Sequence, residues 1–318
     1  MVTPLRSVAP SDSVDDAALS TVRRLVAERR ALVWLYTPMM LALADAFPGA
    51  PVVYDKMDEL AKFKGADARI RAREDALLAR ATVVFSGGRS LYRTVAGRTA
   101  RARCYPSGVD VAHFERTRSV PMHPDLPRAG GTLFGYVGVI DERIDLALID
   151  ALAQARADAT IVMVGPVVKI DPASLPRRDN IVYLGARGYD ELPSIFAGFS
   201  VALMPFAINE HTENISPTKT LEYLAAGLPV VSTAVADVVA DHGDVVYVAR
   251  DREEFVALVA RAEQRDDVRA AAGARKVRDA EWSTIAEAMR DDLSAVGVAY
   301  AASTRPSSPA RSSSAALP

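Results

Sequence analysis

SVALMPFAINEHTENISPTKTLEYLAAGLPVVST, residues 200–233, reads as a buried strand, a polar loop, a helix and a second buried strand. The runs SVALMP and PVVST are short and apolar, the pattern of strands covered on both faces. Between them Ser216 is a natural N-cap and Pro217 a natural first helical residue, so a helix is expected from here to Ala226, with Gly227 as its stop. Two strands joined through a helix belong to a parallel sheet, which needs a crossover of that length.

The same alternation extends in both directions. TLFGYVG (132–138), TIVMVG (160–165), NIVYLG (180–185) and VVYV (245–248) are further buried strands with helices between most of them. Three end at a glycine, Gly138, Gly165 and Gly185, where a loop beyond the strand's carboxyl end can touch a ligand. Upstream, ALVWLY, PVVYD and TVVFS read as strands, and ADARIRAREDALLARA (66–81) reads as a helix whose charge run is a solvated face. The fold class is therefore α/β. Prolines, glycines and charges at 115–131 mark a linker, so the expected division is a first domain over 1–122, a second over 123–298 and a disordered tail over 299–318.

Composition excludes several classes of function. The chain has 318 residues, 50% hydrophobic and 25% charged, and is too rich in core residues to be disordered. Its 38 Lys and Arg against 40 Asp and Glu leave no basic excess for nucleic acid. Cys104 is the single cysteine, so no internal disulfide forms and a cytoplasmic location is expected. The apolar stretch from Ala31 to Phe47 is interrupted by Thr37, Pro38 and Asp45 and falls short of a membrane span. At most a peripheral membrane association is expected.

The chemistry concentrates at the start of the helix after SVALMP. Unpaired amides and the positive end of the dipole favour an anion there, and Ser216, Thr218 and Lys219 add hydroxyls and an ammonium suited to phosphate. Glu222 shares a helix face with Thr218 and is placed to reach ribose hydroxyls. The alternative is a capping serine and a surface glutamate. Asp55 and Asp58, in YDKMDEL at the end of the strand PVVYD, either orient or deprotonate an attacking hydroxyl or merely cap a helix. Ser86-Gly87-Gly88 reads as a turn. His113 and His242 are read as structural.

These residues bring the segment close to a known family. In chain order YDKMDELAKFKGA, YPSGVDVAHF, YVGVIDERIDLALIDAL, IVMVGP, IVYLGARGYDEL and, from Glu222, GluTyrLeuAlaAlaGlyLeuProVal together resemble the GT-B nucleotide-sugar glycosyltransferases of family 4, and YDKMDELAKFKGA and YPSGVDVAHF within them a subgroup of bacterial surface-polysaccharide biosynthesis. The resemblance implies two Rossmann-like domains, with the first lacking its opening βα units, so that the chain is expected to be an N-terminally shortened member. It implies a nucleoside-diphosphate-sugar donor and a glycan or lipid-linked acceptor, retaining stereochemistry, and no metal or cofactor. Glu222 corresponds to the second carboxylate of the family's Glu-x7-Glu pattern, whereas Asn214 stands at the first, whose role falls to Glu210 or Glu213. Arg143 corresponds to a basic diphosphate contact, and Val139 stands where an arginine is usual. The loop from Gly185 to Arg187 is where the family holds the base. Asn214 and Val139 also motivate a different class, a catalytically weakened sugar-nucleotide-binding partner in an envelope-assembly complex. A non-hydrolysing epimerase shares the architecture but fits SPTKTLEYLAAG less well, and a dehydrogenase is disfavoured because no GxGxxG follows a strand.

Overall fold

The structure is a computed structural model that describes residues 16–26, 31–63, 65–128 and 131–298. The tail over 299–318 lies outside the described residues. In chain order the first part contains α1 (Asp16–Val26), β1 (Val33–Leu35), α2 (Leu41–Asp45), β2 (Val52–Lys56), α3 (Ile70–Arg80), β3 (Val83–Ser86), α4 (Arg89–Ala96), β4 (Ala102–Cys104) and α5 (Val111–Glu115). The second contains β5 (Thr132–Val137), α6 (Leu146–Ala155), β6 (Ala159–Val164), β7 (Ile181–Gly185), α7 (Leu192–Phe196), β8 (Val201–Met204), α8 (Lys219–Ala225), β9 (Val230–Thr233), α9 (Ala236–His242) and β10 (Tyr247–Ala249). Three helices follow: α10 (Arg252–Ala262), α11 (Asp267–Arg278) and α12 (Trp282–Ala295).

The strands form two parallel sheets, β1-β2-β3-β4 and β10-β9-β8-β5-β6-β7. In the second, successive strands run outward from β5 in one direction and from β8 in the other. Their loops diverge at this switch point and leave a crevice beyond the carboxyl ends of β5 and β8. Continuous apolar strands such as Val201–Met204 are buried throughout, as helices on both faces require. β4 has no counterpart in the sequence expectation. It is a three-residue edge strand whose central Arg103 is exposed and reaches Asp292, too short and too polar to show periodicity.

The first sheet has two different faces. Tyr54 and Val84 join Leu77 and Leu78 of α3 on one side. Val53, Val83 and Phe85 meet Leu293 of α12 and Val298 on the other. The sequence division places residues 282–298 with the second sheet, but the chain crosses back at Glu281, which bridges Val109, and α12 covers the first.

The charged helix α3 also differs from its expected role. Glu74 is buried and accepts from Tyr54 Oη (2.9 Å), Lys56 Nζ (2.6 Å) and Arg98 (3.0 Å). Those donors hold its carboxyl below the usual glutamate range against the opposing effect of burial. A depressed folded pKa stabilises the fold above the unfolded value, and that stability is lost as pH falls through the folded one. Glu74→Gln is therefore expected to cost about 2 kcal/mol at neutral pH, a difference that shrinks on acidification in urea titrations.

Candidate functional site

The glycines ending β5 and β6 build the crevice floor. Gly138 has φ +149° and Gly165 φ +144°, a region that side chains rarely adopt. Their amides continue the sheet ladder, Gly138 to Val164 O and Gly165 to Gly185 O, both at 2.8 Å. A Cβ on Gly138 would stand 2.0 Å from Lys219 Cε, so the lysine stem lies directly on this glycine.

Lys219 is half-buried yet makes no hydrogen bond or ion pair among the described residues. Desolvation lowers its pKa, with Arg143 acting in the same direction and Glu222 and Asp141 opposing it. Glu222, three residues on, is pushed the other way by burial, with the Lys219 charge opposing. An unpaired cation and an unpaired carboxylate, each partly desolvated, persist at a cost that a fold tolerates chiefly where a ligand meets them. Arg143 lies in the same region. Its Nε and Nη2 hold the buried Asp141 (2.7 Å from Nη2), which leaves Nη1 without a hydrogen bond among the described residues.

The helix start differs from the sequence expectation. Thr218, not Ser216, precedes α8, and no side chain caps it. Pro217 O accepts from Thr220 N and forms the opening turn, which releases the Ser216 side chain. Ser216 instead faces the first sheet: a Cβ on Gly88 would stand 2.7 Å from Ser216 Cβ. The tip therefore looks across the crevice at the turn after β3.

On the opposite wall, Asp55 is buried and accepts from Trp34 Nε1 at 3.1 Å. Burial pushes its carboxyl up to about 6. Asp58 is exposed at the rim, raised by the surrounding protein and drawn down by the Arg143 guanidinium. Neither caps the turn at Leu60–Lys62, whose preceding residue is Glu59.

Residues 131–264 match the family model of glycosyl transferases group 1. TuaH of Bacillus subtilis, named for glycosyl transfer in teichuronic acid biosynthesis, is 24% identical over 223 residues, which are 64% of this chain and 55% of TuaH. The chain thus spans about half the length of that relative. Sucrose-phosphate synthase from Thermosynechococcus elongatus superposes with a TM-score of 0.70 at 15% identity, over 88% of this chain and 77% of the other. Anabaena HepE in complex with UDP superposes with a TM-score of 0.69 at 16% identity, over 88% and 82%. The fold is GT-B.

Within this GT-B fold the expected site residues divide into groups. Gly138, Arg143, Lys219 and Glu222 come together at the switch point, and Gly165 supports them from β6. Thr218 and Ser216 lie at the tip, half-buried. Gly185 is at the open end of β7, with nothing within 4 Å of where a Cβ would be. Arg187 is turned to Asp125 in the connection between the sheets (2.8 Å). Glu210 and Glu213 are exposed and line a cavity of about 390 Å³ with Ile208 and Val235, whose walls include neither Lys219 nor Glu222. Glu213 pairs with Lys62 of the turn Leu60–Lys62 that follows β2, and Asn214 accepts from the same ammonium at 2.8 Å.

Tyr189 was missed. One ring face stacks on His113 at 4.2 Å and 15°, yet the side chain remains exposed. Desolvation pushes its hydroxyl up to about 12, with a contribution from nearby Glu222. The signal lay two residues past Arg187, an aromatic after a strand-end glycine loop. No described helix is long and apolar enough to cross a membrane.

Proposed function

We propose that this protein transfers a hexosyl or related group from a nucleoside-diphosphate sugar to a glycan or lipid-linked acceptor in cell-surface polysaccharide synthesis. One observation carries the reading: Lys219, unpaired and desolvated, lies over Gly138 at the switch point with Glu222 one turn along. Lys219 and the free Nη1 of Arg143 bind the diphosphate and stabilise the charge that develops on it as the anomeric bond breaks. That is sufficient without a metal. Glu222 accepts from the ribose hydroxyls, and the free face of Tyr189, beside it, stacks on the base. HepE, which shares the fold, is a complex with UDP, and the naming of TuaH for teichuronic acid biosynthesis supports the choice of a polysaccharide product. Family 4 chemistry with retention and a cytoplasmic location with peripheral membrane contact belong to the same reading.

Titration calorimetry with UDP and UDP-glucose tests it, together with release of glucose or its transfer to acceptor. Saturable binding with turnover is expected. The second reading, a sugar-nucleotide-binding partner, draws on Asn214 being occupied by Lys62, and it predicts binding with no turnover.

Asp55 is the proposed base for the acceptor hydroxyl, ionised at neutral pH and still basic enough to take a proton. Its folded pKa exceeds the unfolded one, so it stabilises the fold at low pH, and that contribution is lost as pH rises through about 4 to 6. Asp55→Asn keeps the acceptor for Trp34. It is expected to raise stability on the order of 2 kcal/mol at pH 7.5 while abolishing transfer, the stability difference vanishing below pH 4. Retained transfer would remove Asp55 from the mechanism.

A further inference from the structure

The glycine turn after β3 meets the second sheet at a buried carboxylate. α4 begins directly after Gly88, which has no side chain to cap it. The cap comes from the other sheet instead. Asp237 of α9, 2% exposed, accepts from Ser90 N at 2.9 Å and from Ser90 Oγ at 2.5 Å. Arg93 lies 4.0 Å from the same carboxylate, and Arg89 pairs with Asp241 one turn further along α9. A carboxylate at a helix N-terminus is favoured by the unpaired amides and the dipole. Here that preference operates only when the two sheets are together.

Gly88 sets how close they come. A Cβ there would stand 2.5 Å from Asp237 Oδ2 and 2.7 Å from Ser216 Cβ, both across the crevice. Its φ of 176° is extended backbone open to any residue, so the glycine is required by the opposing wall and not by its own conformation. Ser216 is two residues from Thr218 and three from Lys219. The contact that the bare glycine allows therefore fixes the height of the Lys219 tip above the ends of β2 and β3.

We propose that Asp237 and Gly88 are positioning residues: the carboxylate draws the two sheets together by capping α4, and the missing Cβ sets the spacing at which Asp55 and the Lys219 site face each other. The catalytic consequence rests on the glycosyl-transfer reading, and the closure itself does not. With the sheets held apart, the donor site on the second sheet is intact but the acceptor side is misplaced, and small misplacements slow such reactions steeply.

The test uses the full chain with Asp237→Ala, Asp237→Asn and Gly88→Ala, measuring small-angle scattering, UDP affinity and transfer from UDP-glucose. Gly88→Ala wedges the crevice without straining either sheet and serves if Asp237→Ala fails to fold. Both Ala variants are expected to show a larger radius of gyration and a kcat lower by on the order of 10- to 100-fold, with UDP affinity changed by less than about threefold. Asp237→Asn, which retains an oxygen for Ser90 N, recovers most of both. Scattering unchanged in Asp237→Ala and Gly88→Ala overturns the proposal, as does a loss carried by UDP affinity in place of kcat. If the unmodified protein fails to bind UDP, the functional reading fails and scattering alone decides the closure.

Discussion

Lys219→Met weakens UDP binding by on the order of 10- to 100-fold and raises the melting temperature of the unliganded protein. The two effects have one cause. The ammonium is desolvated and has no partner among the described residues, so the folded state carries its cost without compensation. Met keeps the stem that lies on Gly138 and removes the charge. A charge-assisted hydrogen bond to a phosphate oxygen contributes about 1.5–3 kcal/mol, which is the stated loss of affinity. Glu222→Gln follows the same logic with a smaller effect, because the amide oxygen still accepts from a hydroxyl. Calorimetry with UDP and a thermal melt read both quantities. A Lys219→Met protein that binds as tightly as the parent would place the diphosphate elsewhere.

Gly165→Ala disrupts the second sheet. The new Cβ would lie 1.9 Å from Gly138 O and 2.6 Å from its carbonyl carbon, backbone atoms that cannot rotate away, at a φ of +144°. Backbone strain and overpacking together are expected to cost about 3–5 kcal/mol, a large part of an ordinary domain's stability. A melting temperature lower by about 10 °C or more is the corresponding shift for a domain of this size. Gly185→Ala is the control: its φ is +68° but the space around it is open, so the cost is limited to about 1 kcal/mol. Equal effects of the two substitutions would show that conformation alone, and not the packing of one strand-end turn on the next, makes Gly165 necessary.

Much of this molecule is legible in one dimension. Strands such as TIVMVG and SVALMP announce themselves because parallel strands are buried on both faces, and burial on both faces leaves an unbroken apolar run. Glycines at strand ends mark the crevice for a similarly local reason. β4 escapes notice because an edge strand of three residues needs no apolar run. Ser216 shows the limit of local rules: Ser-Pro is a good helix start, yet the chain begins the helix two residues later and turns the serine to the opposite wall.

The carboxylates of the 209–214 loop make the same point about chemistry. Asn214 sits at the spacing where a donor contact is expected and Glu210 and Glu213 precede it as substitutes, but Lys62, about 150 residues earlier in the chain, takes up Glu213 and Asn214. Glu74 looks like part of a solvated charge run and is instead buried by contacts with Tyr54, Lys56 and Arg98. Periodicity and capping act within a turn or two of chain, so the alternation of elements, the α/β class and the shared helix face of Thr218 and Glu222 follow from neighbouring residues. Desolvation and ion pairing act through space. Which carboxylates are free, where α12 packs and how near Gly88 comes to Asp237 depend on segments far apart in sequence, and they exist only once the two sheets have been brought together.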